Sequence, residues 1–291
     1  MPKIPIGDAV NSFINFLKED LSWVFDGISG VLDNAISALE SFLDFIPPIA
    51  LIFLLCFIIL LVTTKGITIW SFVGLLLIYD LELWSELIRI LVLVLVAVIL
   101  ALIISIPVGI WMTRSKTVER ITFPILDFMQ TMPSFVYLVP AAMLFGIGPV
   151  PGLLATLVFA IPPPVRLTYL GITQVPGDLK EAARAFGASD RQVLTKVELP
   201  LSLPSIMAGV NQCIMLGISM VVIASMIGAP GLGRVVLTAV NRLDMAMGFE
   251  GGLAIVILAM ILDRFSRKMG EYEKIFERFG KIKQKLKGVV H

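Results

Sequence analysis

The chain has 291 residues, of which 57% are apolar and 15% charged, with a formal net charge of +1. Soluble domains carry about 45–50% apolar and about 25% charged residues, so a water-soluble globule is excluded and a membrane protein is indicated. The mean hydropathy of +0.94 agrees, and no nucleic-acid partner is expected.

Residues 1–45 carry apolar side chains at spacings of three and four, from Val10, Ile14 and Leu17 through Ala38, Phe42 and Phe45. The opposite face holds Lys18, Glu19, Asp20, Asp26, Asp33, Glu40 and Asp44. This predicts an amphipathic helix too polar to span, with Gly27 and Gly30 as its breaking point. It reads as a coiled-coil seam, an interfacial helix or a scaffold against the spans. Its acidic charge favours packing against its own protein or a second copy over attraction to anionic lipid. The start lacks a basic residue cluster running straight into an apolar core, so no cleavable signal is expected.

Seven apolar segments follow, with cores near 49–64, 67–79, 87–112, 134–145, 150–165, 205–227 and 245–262. About 20 apolar residues cross a hydrocarbon layer of roughly 30 Å. The third segment is long enough to cross at a tilt, and Pro107 with Gly109 predicts a kink near its inner end. The second, fourth and fifth are short, and Pro133, Pro140 and Pro162 to Pro164 interrupt the last two of these. Short, proline-broken spans are tolerated where neighbours or a cavity satisfy the freed backbone groups, so they point toward a pathway. The expected fold is all-α and polytopic, with about seven transmembrane helices. Cys56 and Cys213 lie inside apolar runs without metal-ligand neighbours and read as small buried hydrophobes. His291, the last residue, supports no catalytic assignment.

The longest polar insertion between apolar segments is 178–200, DLKEAARAFGASDRQVLTKVELP. It predicts two short helices. Asp178 and Glu181 suggest a capping box at the start of the first, and Ser189 and Gln192 repeat it for the second. Gly187 supplies a left-handed turn between them. Leu199-Pro200 is expected to stop the second helix. Leu179, Ala182, Ala183 and Phe186 share one face, a small apolar patch suited to another protein's groove; the plainer alternative is a helical loop on the headgroups.

Glu181-Ala182-Ala183, Gly187, Val197 and Leu199-Pro200 together resemble the signature of the permease subunits of ABC importers. The resemblance implies that this segment is a coupling helix seated in a cleft of a cytoplasmic ATPase. It implies the type I ABC importer permease fold, placed in a bacterial inner or plasma membrane. Further stretches, 126–141 (LDFMQTMPSFVYLVPA), 161–168 (IPPPVRLT) and 209–233, are similar to the glycine betaine/proline betaine branch. Pro164 departs from that branch's usual pattern and puts the local span geometry in doubt. The branch implies a homodimer, two ATP-binding subunits with CBS-type regulatory domains, and a separate binding protein with an aromatic cage for a quaternary ammonium.

If 178–200 is cytoplasmic, alternation places the N-terminus outside and the C-terminus inside. Most Lys and Arg then fall inside, including Arg166 to Lys196 and the tail, as the positive-inside rule expects. The chain divides into a scaffold (1–45), a permease domain (46–267) and a basic tail (268–291) ending in KIKQKLKGVVH. The tail reads equally as a lipid-attracted or a solvated extension.

GAPGLG at 228–233 lacks the dinucleotide spacing and a preceding strand, and no Walker P-loop occurs. ATP and Mg2+ therefore belong to a partner, and this chain is expected to hold no cofactor or metal. The glycine stretch reads as an outer turn near the binding-protein dock, with Arg234, Arg242 and Asp244 beside it. Gln130, and Asn211, Met215 and Ser219 on one face of the sixth span, are the candidates for a polar pathway lining. The alternative for them is interhelical hydrogen bonding. A self-powered transporter or channel would need an intramembrane ion site, for which no Asp, Glu or His stands out. An intramembrane enzyme would need an HExxH or GxSxG arrangement, and neither occurs.

Overall fold

The computed structural model describes residues 6–270, so the end of the basic tail lies outside the described residues. Among the described residues every regular element is helical. The N-terminal segment forms α1 (Ile6–Asp20) and α2 (Ser22–Asp44). The break falls at Leu21, and Gly27 and Gly30 lie inside α2. A glycine in a helix interior costs only about 1 kcal/mol, which the docking of α2 offsets. That docking buries Ile36 and sets α2 against α5 and the α7–α8 region.

Next come α3 (Pro48–Val62) and α4 (Lys65–Asp80), with α3 leaving α2 at a bend of 102°. At 15 and 16 residues each reaches only about 23 Å, less than a full hydrocarbon layer. The central helix is α5 (Trp84–Arg114), 31 residues long and uninterrupted at Pro107. Gly109 serves close packing there: a Cβ would lie 2.7 Å from Thr168 Cβ.

Residues 116–145 form a bent pair. Helix α6 (Lys116–Thr131) meets a 3-10 turn (Ser134–Tyr137) and α7 (Leu138–Phe145) at 105°. Pro133 forces the break, and Tyr137 Oη donates to Met129 O at 2.6 Å, satisfying a carbonyl at the end of α6. The next pair behaves differently. Helices α8 (Pro149–Ala160) and α9 (Pro162–Thr173) run as one 25-residue apolar span. The three prolines occupy the first turn of α9, where backbone N–H groups have no intrahelical partner in any case. Ser105 Oγ donates to Ile161 O at 3.2 Å across the junction. Arg166, expected in the cytoplasmic loop, therefore lies within this span.

The polar insertion is α10 (Gly177–Ala185) and α11 (Asp190–Val193). A π turn (Leu194–Glu198) then leads into α12 (Leu199–Ala224), a 3-10 turn (Ser225–Ile227), α13 (Leu232–Arg242) and α14 (Met245–Met269). Among the described residues, four stretches are long and apolar enough to cross a bilayer: 84–114, 149–173, 190–227 and 245–269. Counting each bent pair as one span raises the number to six, close to the seven apolar segments expected.

The core lies where α12 packs against α5, α8, α9 and α14. Lipid supplies no hydrophobic drive between spans, so close backbone approach through small residues matters most. A Cβ on Gly209 would lie 2.8 Å from Pro164 Cα, and one on Gly171 would lie 2.8 Å from Ser205 Cβ. Pro164 thus packs directly on α12.

Candidate coupling site and membrane pathway

The elbow at 177–200 is built from local rules, with two departures from expectation. Helix α10 begins at Gly177 after Pro176, without a side-chain cap, and Asp178 already sits in its first turn. The proposed box with Glu181 is therefore absent: Pro176 starts the helix too early for Asp178 to cap it. The second box forms as expected, with Ser189 Oγ accepting from Gln192 N and Gln192 Oε1 accepting from Ser189 N at 2.8 Å. Between them Gly187 takes φ +83°. Gly187 N donates to Arg184 O at 2.9 Å and Ala188 N to Ala183 O at 3.1 Å, the paired bonds of a Schellman motif.

Leu199-Pro200 does not stop the second helix. Proline removes a donor and crowds the carbonyl four residues back, and the chain absorbs this by widening. Leu199 N donates to Leu194 O, five residues back, and the helix runs on into the membrane. The elbow is therefore continuous with span 190–227.

Placement of the motif residues follows. Glu181, Ala182, Gly187 and Pro200 are exposed, and Ala183, Val197 and Leu199 are half-buried. Leu179 is exposed, and Phe186 is 94% exposed. Val193 is buried, so α11 turns its apolar face into the protein and α10 turns part of its own away.

Glu198, which the sequence did not single out, anchors the elbow. It is 2% exposed and ion-paired with Arg114 at the end of α5 and, at 3.3 Å, with Lys180 of α10. Lys180 Nζ also donates to Ile172 O at 3.2 Å. One carboxylate thus ties the first elbow helix to the end of α5 and the start of α12, and Lys180 links it to the end of α9. A buried charge is tolerated only with such partners.

The proposed pathway residues separate into two groups. Asn211 Nδ2 donates to Asp263 Oδ1 at 3.0 Å, and Asn211 Oδ1 accepts from Ser266 Oγ at 2.5 Å. Asn211 therefore joins α12 to α14 through Asp263 and Ser266. Met215 is half-buried, Ser219 is exposed with its hydroxyl donating to Met215 O, and Gln130 is exposed near the bend after α6. At the other end, Gly231 N donates to Glu86 Oε2 at 3.0 Å, and Arg89 pairs with Glu86 at 3.1 Å. Asp244 caps α14 by accepting from Met247 N, while Arg234 and Arg242 are exposed.

A bundle of apolar spans with a polar helical elbow continuous with one of them is the build of a membrane permease. The chain belongs to the binding-protein-dependent transport system inner membrane component family, whose pattern matches residues 105–267. It is 44% identical to the glycine betaine transport system permease protein OpuAB of Bacillus subtilis strain 168, over 99% of this chain and 98% of that one. It is 46% identical to the glycine betaine/carnitine transport permease protein GbuB of Listeria monocytogenes, over 94% of this chain and 98% of that one. Identity is also 46% to the glycine betaine/proline betaine permease protein ProW of Escherichia coli K12, over 92% of this chain and 75% of that one. In structure it is similar to a chain of the MetNI methionine ABC transporter in an inward-facing conformation. The TM-score is 0.60 at 20% identity, over 65% of this chain and 95% of that one, a likeness of fold.

Proposed function

We propose that this chain is the membrane subunit of an ATP-driven importer for glycine betaine or a related quaternary-ammonium osmoprotectant. The observation that carries the reading is the elbow: an exposed apolar face with Phe186 at its tip, hinged at Gly187 and continuous with a span. The substrate class rests on the names of the three permease relatives. Two copies of the chain enclose the pathway. Each elbow docks in one of two ATPase subunits with CBS-type regulatory domains, which hold ATP and Mg2+, and a separate binding protein delivers solute from outside. The membrane is the bacterial inner or plasma membrane, with the N-terminus outside and the C-terminus inside.

The chain's own part is mechanical. When the ATPases close, they displace α10 and α11. That displacement passes from Lys180 on α10 through Glu198 to Arg114 on α5, and the π turn passes it into α12. The spans then rock about their close-packed glycine contacts. ATP shifts this equilibrium only to the extent that the ATPase grips the two elbow positions with different affinity.

Sidedness tests this reading. A Phe186→Cys variant should be labelled by an impermeant maleimide from the cytoplasmic face only, and the bound ATPase should shield it. Labelling from outside would refute it.

A further inference from the structure

Asp127 and Arg166 form an ion pair between α6 and α9; Arg166 lies within the span 149–173, and Asp127 lies in α6, the first half of the bent pair. The arrangement is one-sided. The Asp127 side chain is 64% exposed and that of Arg166 30%. Only one Arg166 nitrogen, Nη2, meets the carboxylate; Nε is buried, and among the described residues no acceptor reaches it. The Phe123 ring lies 5.7 Å from the guanidinium carbon. On α6, Phe123, Asp127, Gln130 and Thr131 fall at spacings of three and four and share a face. An ionisable side chain within a span faces a bundle interior or a watery cavity rather than lipid; Arg166 is such a residue, and the exposed Asp127 carboxylate it holds marks the aqueous route beside it.

We propose that Asp127 and Arg166 form a transient subsite in the pathway for a zwitterion carrying a quaternary ammonium and a carboxylate. This rests on the importer reading above. In the empty protein the two charges satisfy each other. An entering zwitterion exchanges partners with them: its carboxylate accepts from the Arg166 fork, including the unpartnered Nε. Its ammonium, which has no N–H to donate, sits against the Asp127 carboxylate and the Phe123 face. Each charge keeps an opposite neighbour throughout, so the passage is smooth and binding is weak enough for release. A solute with only one of the two charges leaves one protein charge unpaired.

The test uses the complete complex in vesicles, with its ATPase and binding protein, and labelled glycine betaine at sub-saturating concentration. Asp127→Asn and Arg166→Gln should each slow uptake at least about tenfold, and the exchanged pair D127R/R166D should not restore it. Exchange restores a simple strap between helices, so recovery to within about twofold of wild type would overturn the subsite, as would normal uptake by either single variant. If the charge variants fail to assemble, Gln130→Cys decides, because both native cysteines are buried. A trimethylammonium-bearing thiosulfonate should label the introduced thiol, and saturating glycine betaine should slow that labelling at least about threefold. No labelling, or labelling that betaine leaves unchanged, would overturn the subsite. Absent uptake by the wild type would instead refute the importer reading, and betaine protection of the Gln130→Cys variant would then still stand for the site.

Discussion

Glu198→Gln removes one charge and almost no volume, which isolates electrostatics at the elbow. Breaking a fully buried pair costs about 3–5 kcal/mol, whereas a surface pair is worth about 0–1. Glu198 is buried, but the Arg114 and Lys180 side chains are 38% and 21% exposed, so water takes up part of their lost partner. An intermediate loss of about 2 kcal/mol follows. At about 2–4 °C per kcal/mol for a domain near this size, the melting transition should fall by about 4–8 °C. Tryptophan fluorescence of the purified complex would follow it. Because the carboxylate ties α10 to α5, more ATP should also be hydrolysed per solute moved. A melting transition within about 1 °C of wild type and an unchanged ATP-to-solute ratio would refute the role given to Glu198.

Gly187→Val should cost about 1–3 kcal/mol at the elbow, since a branched residue resists positive φ, and should uncouple ATP hydrolysis from uptake. Nothing lies within 4 Å of a Cβ there, so Gly187→Asn, which tolerates the left-handed region, should keep most of the coupled uptake. Gly209→Leu should destabilise by about 1–3 kcal/mol or more through overpacking, because the Cβ meets the Pro164 backbone at 2.8 Å; thermal melting reads it. Asn211→Leu should lower thermal stability by about 1 kcal/mol by removing its hydrogen bonds to Asp263 and Ser266. Its effect on solute selectivity should be small, and altered selectivity would return Asn211 to the pathway.

Local chemistry is legible in the sequence at most of the elbow, although not at Asp178, where Pro176 starts the helix early. The left-handed turn at Gly187 and the Ser189–Gln192 box are of this kind. Proline was over-read as punctuation. Pro162 to Pro164 start a helix within a continuous span, and Pro200 is carried by a π turn. In both cases the missing N–H falls where the backbone had an alternative, which spacing alone does not reveal. Glu198 was invisible because its partners Arg114 and Lys180 are distant or unmarked in the chain, and a glutamate between Val197 and Leu199 carries no local signal. Arg166 reads from the sequence as part of the cytoplasmic loop because a charged residue near the end of an apolar run marks its boundary. Its partner Asp127 lies on α6 and allows the helix to continue past it.

The central claim is that the elbow works only when an ATPase drives it. Vesicles carrying this chain alone and vesicles carrying it with its ATPase, binding protein and ATP would be compared for glycine betaine accumulated against a gradient. The account predicts uphill accumulation only in the second set, abolished when ATP is withheld. Uphill accumulation by the chain alone would contradict it and identify a self-powered transporter.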